Sequence, residues 1–87
     1  MLNIIGKHVR EARHKFKPTL TQEELAARLQ VAGWKISRES LAKIETGMRT
    51  VTDIELMALA KTLKVSAESL LDKQAFESLR PPKKKRG

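Results

Sequence analysis

The sequence has no cysteine and no tyrosine, and only three aromatic residues among 87: Phe16, Trp34 and Phe76. Without cysteine there is no disulfide framework and no thiolate zinc site, which suits a reducing compartment. No run approaches the ~20 apolar residues that a membrane-spanning helix requires. The apolar residues Leu2, Ile4 and Ile5 are soon followed by charge, so no secretory signal is expected. Strand-like alternation, internal repeats and a glycine-rich phosphate loop are also lacking. No serine has an evident base, and Glu23, Glu24 and Glu39 offer no paired-carboxylate geometry. His8 and His14 lack acidic or thiol companions and read as solvated surface, not as metal ligands. The expectation is a cytoplasmic, non-enzymatic protein with no cofactor, no metal and no membrane partner.

What is abundant is positive charge, with a formal net of +8. Its distribution is uneven. Residues 1–17 carry five bases and one acid, residues 80–87 five bases and no acid, and the middle eight bases and nine acids. The excess therefore sits at the ends. A polyanion partner and a solubilising tail on a neutral domain account for it equally well.

Helical periodicity organises the rest. Ile5, Val9, Ala12 and Phe16 recur on one face and predict a helix from Ile4 to Phe16. In "TQEELAARL", Thr21 and Glu24 form a capping box, and the helix from Gln22 to Ala32 ends at Gly33 with Leu25, Ala26 and Leu29 inward. "SRESLAKIETG" reads as a short helix capped by Ser37, docked by Leu41 and Ile44, and stopped by Gly47. Thr52 caps a fourth helix with Leu56, Leu59, Ala60 and Leu63 inward. Ser66 caps a fifth, which buries Leu70 and Leu71 and extends in this reading through Phe76 and Leu79. Pro81 and Pro82 then break the pattern, and a basic disordered tail is expected over 80–87. The fold class is all-α, five helices in one domain over residues 1–79.

The third helix poses the functional question. It is too short to be stable alone. With Leu41 and Ile44 inward, it turns out Arg38, Glu39, Ser40 and Lys43. Arginine and lysine reach guanine O6 and N7, glutamate accepts from cytosine N4, and serine is permissive. A solvated charged face explains the same residues, and periodicity does not separate the two readings.

The combination "LTQEELAARL…ISRESLAKIETG" resembles the lambda-repressor-like, Cro-type (XRE) helix-turn-helix family. "IGKHVREAR" before it and "DIELMALAKTLKVSAESLL" after it resemble that family too, so the likeness runs from about Ile5 to Leu71. It implies a sequence-specific regulator of double-stranded DNA, most often a repressor acting as a homodimer on a near-palindromic operator, bacterial or phage-encoded and nucleoid-associated. Position by position, it implies base contacts from Arg38, Glu39, Ser40 and Lys43. Backbone contacts would come from Gln22, Thr46, Met48, Arg49 and Thr50, with Gln22 near Arg38 or an outer base; the cap Ser37, and Lys35 in the turn that departs from the family, are further candidates for backbone contact. Arg13 and Glu45 would form a structural ion pair that orients the recognition helix.

Two departures stand out. The turn between the paired helices is longer than the family's by about five residues, and "QVAGWK" fills it. Trp34 and Ile36 are assigned to pinning this turn on the core, because a lone tryptophan usually buries its ring. "HKFKPT" is also lengthened, which brings Lys15 or Lys17 towards a DNA backbone or leaves them in a solvated loop. "PPKKKRG" resembles a nuclear-localisation cluster, but reads better as a phosphate-binding arm or a plain tail, with cloning residue a further source. Ile54, Met57, Phe76 and Leu79 either finish the monomer core or, where they exceed what a small core absorbs, form a dimer interface. The competing function is an antitoxin-type module, whose late hydrophobic residues cover a toxin and which also represses its own operon.

Overall fold

The computed structural model describes residues 2–74. Five helices are defined: α1 (Gly6–His14), α2 (Gln22–Val31), α3 (Arg38–Glu45), α4 (Asp53–Leu63) and α5 (Ala67–Leu70). No strand occurs among the described residues. The all-helical class expected from the sequence is the one observed. α3 packs on α1 and α2, α4 on the same two helices, and α5 closes the other side of α1 and α4. Val9, Leu25, Leu29, Leu41, Ile44, Leu59 and Leu70 form the fully buried centre, so every helix contributes to one core.

The ends of these helices follow from side-chain chemistry. Thr21 and Thr52 each accept a bond from the backbone N–H three residues on, and Glu24 and Glu55 each accept one in return from the threonine N–H. Both are complete capping boxes, and both carry the T-x-x-E spacing, Thr21 to Glu24 and Thr52 to Glu55. Ser37 and Ser66 cap α3 and α5 in the simpler way. Gly33 and Gly47 follow α2 and α3 at φ +105° and +77°, the left-handed region where a side chain is disfavoured. Beyond α2, Gly33 N–H donates to Gln30 and Trp34 N–H to Leu29. Beyond α3, Gly47 donates to Ile44 and Met48 to Lys43. α4 closes with the same pair of bonds, made by Lys64 and Val65.

Two expected boundaries are corrected. α1 is shorter than Ile4 to Phe16. Asn3 Oδ1 accepts the N–H groups of Ile5 and Gly6, which fixes the start. At the other end Lys15 and Phe16 bond back only three residues, to Ala12 and Arg13, so the last turn tightens and stops. α5 does not run on as one helix. Leu71 is extended at φ −79° and ψ 132°. Asp72 N–H turns back to the Ile4 carbonyl, and Asp72 Oδ1 receives Gln74 N–H. Phe76, Leu79 and the expected tail over 80–87 lie outside the described residues.

Candidate nucleic-acid interface

α3 is held from beneath by Leu41 and Ile44, both fully buried. Arg38, Glu39 and Lys43 are exposed, and Ser40 is half-buried beside them. The face sketched from periodicity therefore exists as a solvent-facing row. Within it, Arg38 Nη2 lies 3.8 Å from Glu39 Oε2, with the side chains 51% and 74% exposed. Such a pair contributes little in water and leaves both groups available.

The residues flanking α3 divide into two groups. Lys35, Ser37, Thr46, Met48 and Thr50 are exposed around its two ends. Ser37 Oγ is used by Ser40 N–H, and Thr46 Oγ1 donates to the carbonyls of Ala42 and Lys43, so both hydroxyls also finish the helix. Gln22 and Arg49, by contrast, have protein partners. Gln22 Nε2 donates to Glu45 Oε1 at 3.1 Å. Gln22 and Arg38 do line one shallow depression, together with Arg13, Thr19, Thr21 and Glu23, at the N-terminus of α2. Arg49 pairs with Glu55 through both terminal guanidinium nitrogens, at 3.2 and 3.3 Å, and its Cζ lies 5.8 Å from the centre of the Trp34 ring. This stack joins the long turn before α3 to the loop after it and to the capping box of α4. It gives the added turn residues a physical reason, since Trp34 is half-buried against the core and Ile36 is buried within it.

The Arg13–Glu45 pair is present and bidentate, at 2.7 and 2.8 Å, with side chains 8% and 4% exposed. Arg13 Nη1 also donates to the Leu20 carbonyl at 2.8 Å. Glu45 thus accepts from Arg13 and Gln22 together, which ties α3 to α1 and α2 by directional bonds. Buried pairs of this kind specify geometry more than they add stability.

Electrostatics sharpen two groups. Glu24 is held below its ordinary carboxyl range first by the Thr21 backbone N–H and then by the Thr21 hydroxyl. Glu55 is lowered chiefly by its bonds to the Arg49 guanidinium, with Thr52 adding to the effect and burial opposing it.

Sequence reasoning missed Asn3 and Gly6. Asn3 Nδ2 donates to the carbonyls of Ile44, at 3.1 Å, and Arg49, at 2.8 Å. Gly6 lies so close to the C-terminal end of α3 that any Cβ there would collide with the Ile44 carbonyl oxygen and sit 2.8 Å from that of Glu45. An asparagine just before the periodic residues is a helix-start signal. Its second pair of bonds, reaching more than forty positions along the chain, has no local signature.

Two capped helices at the front of a small all-α core, the second presenting a polar face, define a helix-turn-helix domain. A helix-turn-helix family model matches residues 9–70, more than half of the chain, and the protein belongs to the Cro-type (XRE) helix-turn-helix family of DNA-binding regulators. No curated protein and no solved structure gives a significant match.

Proposed function

We propose that the protein is a sequence-specific transcriptional regulator, a repressor that binds a near-palindromic operator as a homodimer. Arg38, Glu39, Ser40 and Lys43 read base edges in the major groove. Lys35, Ser37, Thr46, Met48 and Thr50 contact the sugar-phosphate backbone and set the register. Gln22 and Arg49 contribute to the backbone contacts from anchored positions, because each already has a protein partner. The observation that carries this reading is the division of α3: Leu41 and Ile44 have no exposure, while Arg38, Glu39 and Lys43 face solvent on a rigidly mounted helix. In this reading the protein acts on DNA in the cytoplasm of a bacterial host, whether chromosomal or phage-encoded.

The homodimer rests on apolar surface that DNA does not need. Ile54 and Met57 are 78% and 61% exposed on one face of α4, and Val31 is 90% exposed at the end of α2. Two subunits would offer two recognition helices to half-sites about one DNA turn, ~34 Å, apart. The same exposed residues favour a second reading, in which a toxin covers them and the protein is an antitoxin that represses its own operon. Sedimentation of the purified protein, alone and with the product of any adjacent gene, separates a self-dimer from a mixed complex.

The test of the DNA reading is selection from a random duplex library at near-physiological salt. Enrichment of a two-fold symmetric motif is the expected result, and retention without enrichment would count against it. On the selected site, Arg38→Ala should cost about 1–3 kcal/mol and relax discrimination at one base position. Equal loss on the selected site and on random duplex would remove Arg38 from the reading face.

A further inference from the structure

Base reading by α3 needs that helix held at a fixed tilt, and its apolar docking does not supply this. Leu41 and Ile44 are buried, but hydrophobic contact is non-directional. α3 has eight residues, so it is about 12 Å long, and a tilt of ~5° about one end moves the other by roughly 1 Å. Directional contacts at its C-terminal end therefore set where Arg38 and Glu39 point. One set is the bonds that Glu45 accepts from Arg13 and Gln22. The others come from the segment that precedes α1.

From these contacts we infer that Asn3 is a positioning residue for the recognition helix, and hence a determinant of DNA specificity that never touches DNA. The inference rests on the base-reading role proposed for α3. The Asn3 amide works in two directions. Its Oδ1 accepts the first free N–H groups of α1, from Ile5 at 3.0 Å and Gly6 at 2.9 Å. Its Nδ2 donates to the Ile44 carbonyl inside the last turn of α3 and to the Arg49 carbonyl beyond it. Leu2 N–H adds a bond to the Gly47 carbonyl at 2.8 Å. Gly6 lets the two backbones come close enough for this to happen. The last turn of α3 and the loop after it are therefore fixed to the segment that starts α1 by three hydrogen bonds, and one side chain makes two of them.

The two functions of the amide are separable by substitution. Asn3→Asp keeps an acceptor for Ile5 and Gly6, and aspartate is as good a helix cap as asparagine. It loses both donors to Ile44 and Arg49. Asn3→Ser also keeps a capping oxygen, is too short to span Ile44 and Arg49 together, and leaves the net charge unchanged. The readout is the ratio of affinities for the selected site and for random duplex, which cancels the charge-driven part common to both. Both variants should lower that ratio about three- to tenfold, a loss on the scale of one net hydrogen bond. The melting temperature should fall by several degrees, as the loss of these bonds requires, with the variants still folded at the assay temperature, and amide exchange at Gly47 and Met48 should quicken. Arg38→Ala runs alongside. If Arg38→Ala lowers the ratio and the folded Asn3 variants do not, Asn3 only stabilises α1 and the inference is wrong. If the wild type selects no motif, base reading by α3 fails and the specificity role of Asn3 falls with it.

Discussion

At Gly6 the requirement is for space, since its backbone angles are ordinary. A methyl group there points at the carbonyl oxygens of Ile44 and Glu45, which are backbone atoms of the recognition helix and cannot rotate away. α1 and α3 would have to separate, straining Asn3 and the Arg13–Glu45 pair. Gly6→Ala should therefore destabilise the protein by about 1–3 kcal/mol, as overpacking does, despite alanine's better helix propensity. Urea unfolding measures this, and an unchanged or raised midpoint would mean that α1 and α3 can part freely. Lys64 is the opposite case. It ends α4 in the left-handed region at φ +60° and is exposed. Its side chain bears the steric cost that glycine avoids. Lys64→Gly should raise stability by about 1 kcal/mol, seen as a higher urea midpoint at unchanged slope.

The helices owe their boundaries to caps, and one cap is also a pH-sensitive element. Glu55 closes the capping box of α4 and holds Arg49, which in turn packs over Trp34. Its pKa is lowered in the folded protein, first by Arg49. A lowered folded pKa means that the charged form is favoured in the native state. The resulting stability is present above the ordinary glutamate value of 4.5 and is lost as pH falls through the depressed one. Glu55→Gln keeps the cap geometry but not the charge. At neutral pH it should cost about 0.5–1 kcal/mol, the range for a partly exposed pair, and it should flatten the acid limb of stability against pH. An acid limb identical to that of the wild type would show that Arg49 and Glu55 do not pair in solution. Element boundaries were legible wherever a cap residue stood next to a periodic run, as at Thr21, Ser37, Thr52, Gly33 and Gly47. They were less legible at α1, whose cap also serves another helix, and at Leu71, where the apolar pattern continues but the backbone turns extended to meet Ile4.

The whole molecule combines a directionally braced domain of modest charge, +3 over residues 1–79, with +5 over residues 80–87. The reading face was legible because burial of Leu41 and Ile44 leaves only one side of α3 for Arg38, Glu39 and Lys43. The anchors of Gln22 and Arg49 were not, because Glu45 and Glu55 reach them only after the helices pack. Among the bases, Arg13 is buried and paired with Glu45, and Arg49 would meet the DNA backbone only from its pairing with Glu55. Lys83, Lys84, Lys85 and Arg86 form the densest run of positive charge in the sequence. If that run meets phosphates, it releases condensed counterions without reading bases. Deleting residues 83–87 should then weaken binding to the selected site and to random duplex by the same factor. The slope of log affinity against log salt should become shallower by about 0.9 for each phosphate that the shortened subunit no longer neutralises. Titrations at several salt concentrations on both duplexes decide the matter. An unchanged slope would make the tail a solubilising segment, whereas a changed preference among sites would make it a reader of sequence and move part of the specificity away from α3.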